Sequence, residues 1–465
     1  MKLTEKTVAL LGYGRANRAV RAYLAPFGCR FAVYTEQPPD DATTAELAAA
    51  GVPVRVGAFP AVFREQVLAR SPGIRPDLPA IAASVRMGAV LLEESGLLLE
   101  GAPVPVIGIT GSDGKTTTAA LSAALLSGAG VRTFLGGNNG VPLLPRVGEM
   151  QLGDVAVAEL SSFQLMTAPR APQVAVITNV TPNHLNWHVD MAEYVAAKCR
   201  IFDGNTRLIL NAENETTRRI GEARLAAGTT GKTVFFSVEE AAVAAYPDAA
   251  FLRTGVLILR EQGREVTFDC LGSFRLPGRH NLSNLLAAVA ATHPFTKGQG
   301  LSALAAFGGV PHRLQRVAEV GGVTYINSSI DTSPTRTAAA LSALGGRPIC
   351  IVGGRGKGIS LAPLGDTLAA RAKAVFLYGE AAEEIEATLG GRVPARRFGR
   401  FAEAFAAAAA AAKAGDTVLL SPGCTAFGEF RDFEARGECF CRLVRELGAR
   451  RAQLCSPPAS DVASQ

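Results

Sequence analysis

The sequence is poor in the features that would place it in a membrane, outside the cell or on nucleic acid. No apolar run reaches about 18 residues, the usual minimum for a helix that crosses a bilayer, so no membrane span is expected. The opening Met1-Lys2-Leu3-Thr4-Glu5-Lys6 leads straight into a strand-like run. It has no apolar stretch ending in a small-residue cleavage site, so a secretory signal is not expected either. The 8 cysteines are scattered. Cys439 and Cys441 lie close together but form no CxxC pair, which argues against a zinc site and for reduced thiols in a cytoplasm. No basic block stands out, and a net charge of +6 reads as ordinary solubility, so no nucleic-acid partner is expected. There is no short-period repeat. Only the tail Ser456 to Gln465, small and polar, reads as disordered. The alanine tract Ala406 to Ala412, bounded by Glu403 and Lys413, reads as a soluble helix.

What is present is the material of several α/β cores. With 465 residues, 48% hydrophobic and 19% charged, the chain can fill two to four domains. Short apolar runs alternate with helix-length segments. Val8 to Leu11, Phe31 to Tyr34, Val104 to Ile109, Val155 to Leu160, Val174 to Val180 and Leu208 to Leu210 read as buried strands. So do Ile349 to Val352, Ala374 to Leu377 and Thr417 to Leu420. This alternation predicts α/β architecture with parallel, doubly wound sheets. Restarts of the pattern at Gly101-Ala102-Pro103 and Gly308-Gly309-Val310-Pro311 set three domains, 1–99, 100–308 and 309–465.

The strongest local signal is Gly108-Ile109-Thr110-Gly111-Ser112-Asp113-Gly114-Lys115-Thr116-Thr117, between a predicted strand and a helix expected over Thr116 to Leu126. Glycines let the backbone turn tightly enough for its N–H groups to converge on phosphate oxygens, and the helix N-terminus adds positive potential. Lys115 can reach the terminal phosphates, and Thr116 can place its hydroxyl on Mg²⁺. The strict phosphate-loop pattern wants a glycine where Ile109 stands, so this is a variant loop. Gly111, Ser112, Asp113, Gly114, Lys115, Thr116 and Thr117 are the expected phosphate-binding residues. The loop alone does not choose between a kinase, a ligase and a switch protein.

Other segments are weaker alone. Glu159 ends a strand-like run, where a side chain can project into a cleft at the carboxyl end of a sheet, although exposed acids are common. Lys198, on a helix expected over Ala192 to Phe202, reads by itself as a solvent-facing lysine. His184 is a lone loop histidine. Gly12-Tyr13-Gly14-Arg15-Ala16-Asn17 begins like a dinucleotide fingerprint, with Asn17 in the third glycine's place and Glu36 following the second strand.

Taken together and in order, these segments resemble the Mur ligase family. The resemblance rests on the Gly108 to Thr117 loop and Glu159-Leu160-Ser161-Ser162-Phe163-Gln164-Leu165. It continues through Thr178-Asn179-Val180-Thr181-Pro182-Asn183-His184-Leu185, Tyr194-Val195-Ala196-Ala197-Lys198 and Leu276-Pro277-Gly278-Arg279-His280-Asn281. Pro311-His312-Arg313 and Ser421-Pro422-Gly423-Cys424 complete it. It covers nearly the whole chain, and the Glu159 to Leu165 stretch is similar to the signature of the D-glutamate-adding branch.

The resemblance implies three α/β domains: a Rossmann-like domain for the UDP part of the substrate, a central phosphate-loop ATPase, and a Rossmann-like domain that closes over ATP and brings the amino acid. It implies ATP-dependent addition of D-glutamate to UDP-N-acetylmuramoyl-L-alanine through an acyl phosphate. A pair of Mg²⁺ ions would be held by Thr116, Glu159, His184 and a carbamylated Lys198, with Lys115 completing the catalytic set. A histidine ligand is not one that magnesium chemistry alone would assign, whereas carbamylation makes a lysine an oxygen donor. Asn281, His312 and Arg313 match positions that hold the adenine nucleotide. Asn138 and Gln164 match positions near the substrate and phosphates. Gly14, Arg15, Thr35, Glu36, Ser71, Pro72 and Gly73 fall in the UDP-contacting region. Thr332, Lys357, Ser421, Thr425 and Phe433 match positions lining the D-glutamate site. A monomer is expected.

The chain departs from the commonest pattern in the third domain. Ser328 and Ile330 stand where Asp and Lys are frequent, and Ala426 and Gly428 where Ser and Asp are frequent, so individual D-glutamate contacts are less secure than the overall assignment. Three alternatives remain open at this stage. One is a sister Mur ligase or folylpolyglutamate synthase-like enzyme. Another is an NAD-dependent oxidoreductase, resting on the N-terminal glycines, and the last is a nucleotide-binding protein without catalysis.

Overall fold

The apolar runs form three sheets in the computed structural model, which describes residues 3–138, 140–276, 278–344, 346–356 and 360–455. The chain divides into two compact units, Met1–Phe307 and Gly308–Gln465. The first unit opens with β1 (Thr7–Leu11), β2 (Arg30–Thr35), β3 (Val54–Val56), β4 (Val67–Arg70) and β5 (Val90–Leu92). They make a parallel five-stranded sheet in the order β3-β2-β1-β4-β5. Val8, Ala9, Leu10 and Leu11 are fully buried, as a strand covered by helices on both faces requires.

The second sheet of this unit comprises β6 (Val106–Thr110), β7 (Thr133–Gly137), β8 (Val155–Glu159), β9 (Val174–Ile177), β10 (Arg207–Asn211), β11 (Thr233–Ser237), β12 (Ala249–Arg253), β13 (Val256–Glu261) and β14 (Arg264–Phe268). Their order is β14-β13-β12-β11-β10-β9-β6-β8-β7. The strand β6 lies between β8 and β9, so the chain leaves it toward one side and later returns to the other. That reversal opens a crevice at the carboxyl ends of β6, β8 and β9, the usual place for a ligand in such a sheet.

The second unit carries β15 (Gln315–Val320), β16 (Val323–Asn327), β17 (Ile349–Gly353), β18 (Ala374–Tyr378), β19 (Ala395–Phe398) and β20 (Thr417–Gly423), in the order β15-β16-β20-β17-β18-β19. The alanine tract falls in the helix Phe401–Ala411, as its composition predicts.

Strict parallel pairing fails at two edges. Strands β12, β13 and β14 are joined by the two-residue turns Thr254-Gly255 and Gln262-Gly263, all four with positive φ, the geometry that folds adjacent strands back antiparallel. Strand β15 pairs antiparallel with β16 through Gly321-Gly322, also at positive φ. The expected strand Val174 to Val180 stops at Ile177, because Thr178 and Asn179 turn to hydrogen-bond the neighbouring loop. The expected strand Val104 to Ile109 is shifted to Val106–Thr110, and the helix after the glycine loop spans Lys115–Gly128, beginning one residue earlier and ending two residues later than expected.

Candidate active site

The glycine loop occupies the turn between β6 and the helix Lys115–Gly128. Two of its glycines are there for want of space. Gly111 sits at φ +147, and a Cβ on it would lie 1.9 Å from the Thr178 hydroxyl. Gly114 caps the helix at φ +80, and a Cβ there would lie 2.4 Å from Asn284 Oδ1. Larger residues would displace the backbone amides that make such a loop an anion cradle.

The loop is held from outside by the segment after β9. Thr178 Oγ1 donates to the Asp113 carbonyl at 2.5 Å, and Asn179 Oδ1 accepts from the Asp113 amide at 3.0 Å. The Ser112 amide donates to the Asn179 carbonyl at 2.9 Å. Ser112 Oγ lies 2.9 Å from the Thr181 carbonyl and 2.9 Å from the Tyr194 hydroxyl. The Thr178 to Thr181 segment thus scaffolds the glycine loop.

Two lysines converge on one carbonyl. Lys115 Nζ donates to the Gly111 and Ser112 carbonyls, each at 2.9 Å. Lys198, on the helix Met191–Cys199, donates to the same Gly111 carbonyl at 2.8 Å and lies 3.4 Å from Thr110 Oγ1. Far from facing solvent, Lys198 is 2% exposed, with its ammonium 4.5 Å from the centre of the Tyr194 ring. Burial, reinforced by the charge of Lys115, lowers its pKa to about 7.

Glu159 ends β8 in register with Ile109, beside the loop. It is 2% exposed; its Oε1 accepts from Asn138 Nδ2 at 2.9 Å, while its buried Oε2 has no hydrogen-bond partner. A buried carboxylate oxygen left without a donor suits a cation. His184 adopts φ +56, with its ring 4.9 Å from that of Phe163. Burial, and then the charges of Lys115 and Lys198, lower its pKa and favour the neutral ring a metal ligand needs. Among the described residues no group of three His, Cys, Asp or Glu side chains stands together as a metal site. The expected set differs in kind: it takes a hydroxyl from Thr116 and needs Lys198 to be converted to a carbamate.

Other expected residues have defined local tasks. Gln164 Oε1 accepts from the Ser161 amide at 2.9 Å and closes a capping box on the short helix Ser162–Leu165. Asn281 opens the helix Arg279–Thr296, and Asn284, one turn on, accepts from Thr118 Oγ1 at 3.2 Å. Asn284 escaped the sequence reading, although its i+3 spacing from Asn281 places both on one helix face.

In the N-terminal sheet Gly14 caps the helix Arg15–Leu24, and Arg15 donates to the Gly140 carbonyl at 3.1 Å. Thr35 Oγ1 donates to the Gln37 carbonyl at 2.9 Å, and Glu36 is exposed. Ser71, Pro72 and Gly73 follow β4. Asn17 explains its own departure from the dinucleotide fingerprint. It is fully buried, and its Nδ2 lies 2.9 Å from the Leu11 carbonyl, 2.7 Å from that of Gly12 and 3.0 Å from that of Ala69. It ties together the ends of β1 and β4. Arg70, also missed, is fully buried with Glu93 at 2.7 Å. It donates to the Pro72 carbonyl at 3.0 Å, the Ile74 carbonyl at 2.8 Å and the Phe163 carbonyl.

In the second unit His312 adopts φ +62, with Nδ1 3.0 Å from Asn327 Nδ2, and Arg313 follows it in the loop before β15. Ser421 is fully buried and donates to Asp331 Oδ2 at 2.8 Å. The Thr332 amide donates to the Ile330 carbonyl at 2.8 Å, and Thr425 Oγ1 to the Arg355 carbonyl at 2.9 Å. Phe433 starts the helix Phe433–Cys455, its ring 6.2 Å from that of His312. Ser328, which replaces a frequent Asp, accepts from the Leu314 amide at 3.1 Å, and the nearest acid in this loop is Asp331. Lys357 and the tail Ser456 to Gln465 lie outside the described residues.

The Mur ligase middle domain matches residues 109–292, and the Mur ligase glutamate ligase domain matches residues 312–424. The UDP-N-acetylmuramoylalanine--D-glutamate ligase of Symbiobacterium thermophilum is 41% identical over 461 residues, covering 96% of this chain and 99% of its own. The protein of the same name from Ruminiclostridium cellulolyticum is 36% identical over 464 residues, covering 95% and 97%. Among solved structures, the UDP-N-acetylmuramate-alanine ligase of Thermotoga maritima superposes with a TM-score of 0.53 at 18% identity, covering 95% of this chain and 99% of its own. MurF from Acinetobacter baumannii gives 0.53 at 19%, covering 96% and 91%. These two share the fold. With full-length relatives at such identity and both domain models matched, the chain belongs to the Mur ligase family.

Proposed function

We propose that the protein is an ATP-dependent ligase that joins D-glutamate to UDP-N-acetylmuramoyl-L-alanine in peptidoglycan precursor synthesis. The observation that carries this reading is the convergence of Lys115 and Lys198 on the Gly111 carbonyl, beside the intact Glu159 to Leu165 signature. Full-length relatives bearing that name support it.

A carboxylate resists attack by an amine because the added electron pair enters an already anionic group. Transfer of the terminal phosphoryl group of ATP to the substrate carboxylate gives an acyl phosphate, which the amine of D-glutamate attacks with loss of phosphate. Two anions must first be brought together, so the site needs positive charge more than it needs a nucleophile. The Gly111 to Thr117 loop binds the phosphates, and Lys115 swings from its backbone acceptors onto the transferring group. Thr116, Glu159, His184 and a carbamylated Lys198 would hold Mg²⁺, which when bound would neutralise phosphate charge. The unpartnered Glu159 Oε2 and the lowered pKa of Lys198 support this donor set. In the same reading Gly14, Arg15, Thr35, Glu36, Ser71, Pro72 and Gly73 meet the uridine nucleotide, and Asn138 and Gln164 match positions near the substrate and phosphates. Asn281 in the first unit, and His312 and Arg313 in the second, match adenine-nucleotide positions, and Thr332, Lys357, Ser421, Thr425 and Phe433 match amino-acid positions.

The domain limits 1–99, 100–308 and 309–465 belong to this proposal, as do a monomer and a cytoplasmic setting. No helix among the described residues is long and apolar enough to cross a membrane. The test is phosphate release with Mg²⁺, ATP and UDP-N-acetylmuramoyl-L-alanine, adding D-glutamate, L-glutamate, L-lysine or glycine in turn. Release only with D-glutamate, with a product heavier by one glutamyl residue, is expected. Release with another amino acid would move the protein to a sister activity.

A further inference from the structure

The chain contains 1 tryptophan, and no motif above uses it. Trp187 lies three residues after His184, where two parts of the first unit meet. Its Nε1–H donates to the Gly73 carbonyl at 2.8 Å, in the loop that follows β4. Its ring centre lies 4.3 Å from that of Phe163, inside the Glu159 to Leu165 signature. Arg75, from the same β4 loop, places its guanidinium 5.1 Å from the indole centre and donates to the Trp187 carbonyl at 2.6 Å.

Arg75 also grips Glu193 at 2.8 Å, on the helix that carries Lys198. Glu193 accepts from the Val189 amide at 2.9 Å and lies 3.1 Å from His188 Nδ1. The other nitrogen of that buried imidazole is 2.9 Å from Ser162 Oγ. The hydrogen bonds from Arg75 hold the Glu193 carboxyl down at about 2, so this acid stays ionised through the neutral range. The contacts form a continuous path from the loop at Gly73 and Arg75, through residues 187–193, to the signature. His184 sits on the same segment, since the Trp187 and His188 amides both donate to its carbonyl, at 3.0 and 2.9 Å.

We propose that Trp187 and Arg75 are positioning residues for the nucleotide-sugar substrate, latching the Ser71 to Asp77 loop onto the segment that carries His184. The inference rests on the reading of that loop as a UDP-substrate contact. The indole reads the loop backbone at Gly73, and the guanidinium fixes the same loop to the helix of Lys198. Ligand seated on the loop therefore bears on the tryptophan, and loosening either contact weakens nucleotide-sugar binding without touching the phosphate loop.

The test uses the full chain, with binding read by calorimetry and, where the indole is retained, by its emission. UDP-N-acetylmuramoyl-L-alanine is expected to shift the emission of the wild type saturably, without ATP. Arg75→Lys, which keeps the charge and loses the fork, and Trp187→Phe, which keeps the ring and loses the N–H, are each expected to raise its Kd about fivefold, the worth of roughly one hydrogen bond. The Kd for a non-hydrolysable ATP analogue should not move. Calorimetric binding of the nucleotide sugar with no change in emission, or variants whose only change is a lower melting temperature, would overturn the latch and leave the ligase reading intact. If the wild type does not bind the nucleotide sugar at all, the substrate reading falls and takes this inference with it.

Discussion

Lys198 offers the sharpest test of the chemistry, because the proposed carbamate can form only on an uncharged amine. An ordinary lysine, with a pKa near 10.4, is neutral in roughly one molecule in 2,500 at pH 7. Burial and the neighbouring Lys115 bring Lys198 to about 7, so about half of the molecules carry a free amine there. The gain in carbamylation-competent lysine is on the order of a thousandfold. Three consequences can be measured. In ¹³C-bicarbonate at pH 8 the wild type should show a carbamate carbonyl resonance that Lys198→Ala lacks. Ligase activity should fall between pH 8 and 6 as the amine is protonated, and fall further when dissolved CO₂ is removed. Lys198→Ala should lose on the order of 10²- to 10³-fold in kcat, as expected when charge stabilisation is withdrawn, and regain part of it with acetate or formate. Identical spectra for the two proteins, or a variant within threefold of the wild type, would refute the carbamate role. The same pKa has a stability sign. Between about 7 and the ordinary lysine value the unfolded chain holds a proton that the native chain has shed. Stability therefore rises with pH across that window, and Lys198→Met should flatten the slope in urea titrations.

Lys115→Ala should cost at least 10²-fold in kcat by withdrawing charge from the transferring phosphoryl group; a near-normal kcat would remove that role. The same variant should raise the pKa of Lys198, since the Lys115 charge is one of the causes of its depression, and so weaken the carbamate resonance. Gly111→Ala forces a Cβ to within 1.9 Å of Thr178 Oγ1 at φ +147. It should cost about 1–3 kcal/mol in stability and abolish ATP binding by calorimetry, and a variant that binds ATP normally would contradict the cradle. Arg70→Met strands the Glu93 carboxylate in a site where both partners are 1% exposed or less. About 3–5 kcal/mol should be lost in urea unfolding, and a loss under 1 kcal/mol would show that the pair is not a structural rivet.

The strand-and-helix alternation and the glycine loop were legible in the sequence because both are local. A buried parallel strand is a short apolar run, and a phosphate loop is a fixed spacing of glycine, lysine and hydroxyl. The two-residue turns at Thr254-Gly255 and Gln262-Gly263 were local signals too, and reading them would have foretold the antiparallel edge. The family resemblance picked out Glu159, His184 and Lys198, yet their surroundings could not be read from sequence.

Nothing near Lys198 in the chain says which face of its helix is packed. Its acceptor at Gly111 is 87 residues away, and only the sheet order brings them together. The same holds for Asn17, which looked like a damaged cofactor fingerprint until β1 and β4 came side by side, and its amide found the carbonyl of Ala69, 52 residues on. Trp187 and Arg75 likewise gain meaning from a contact spanning 112 residues. Local chemistry determined that this chain would build α/β sheets and hold a nucleotide. Tertiary structure decided which side chains lost their water, and with it the protonation of Lys198 and the unpartnered oxygen of Glu159, because desolvation belongs to the packed environment and not to the residue.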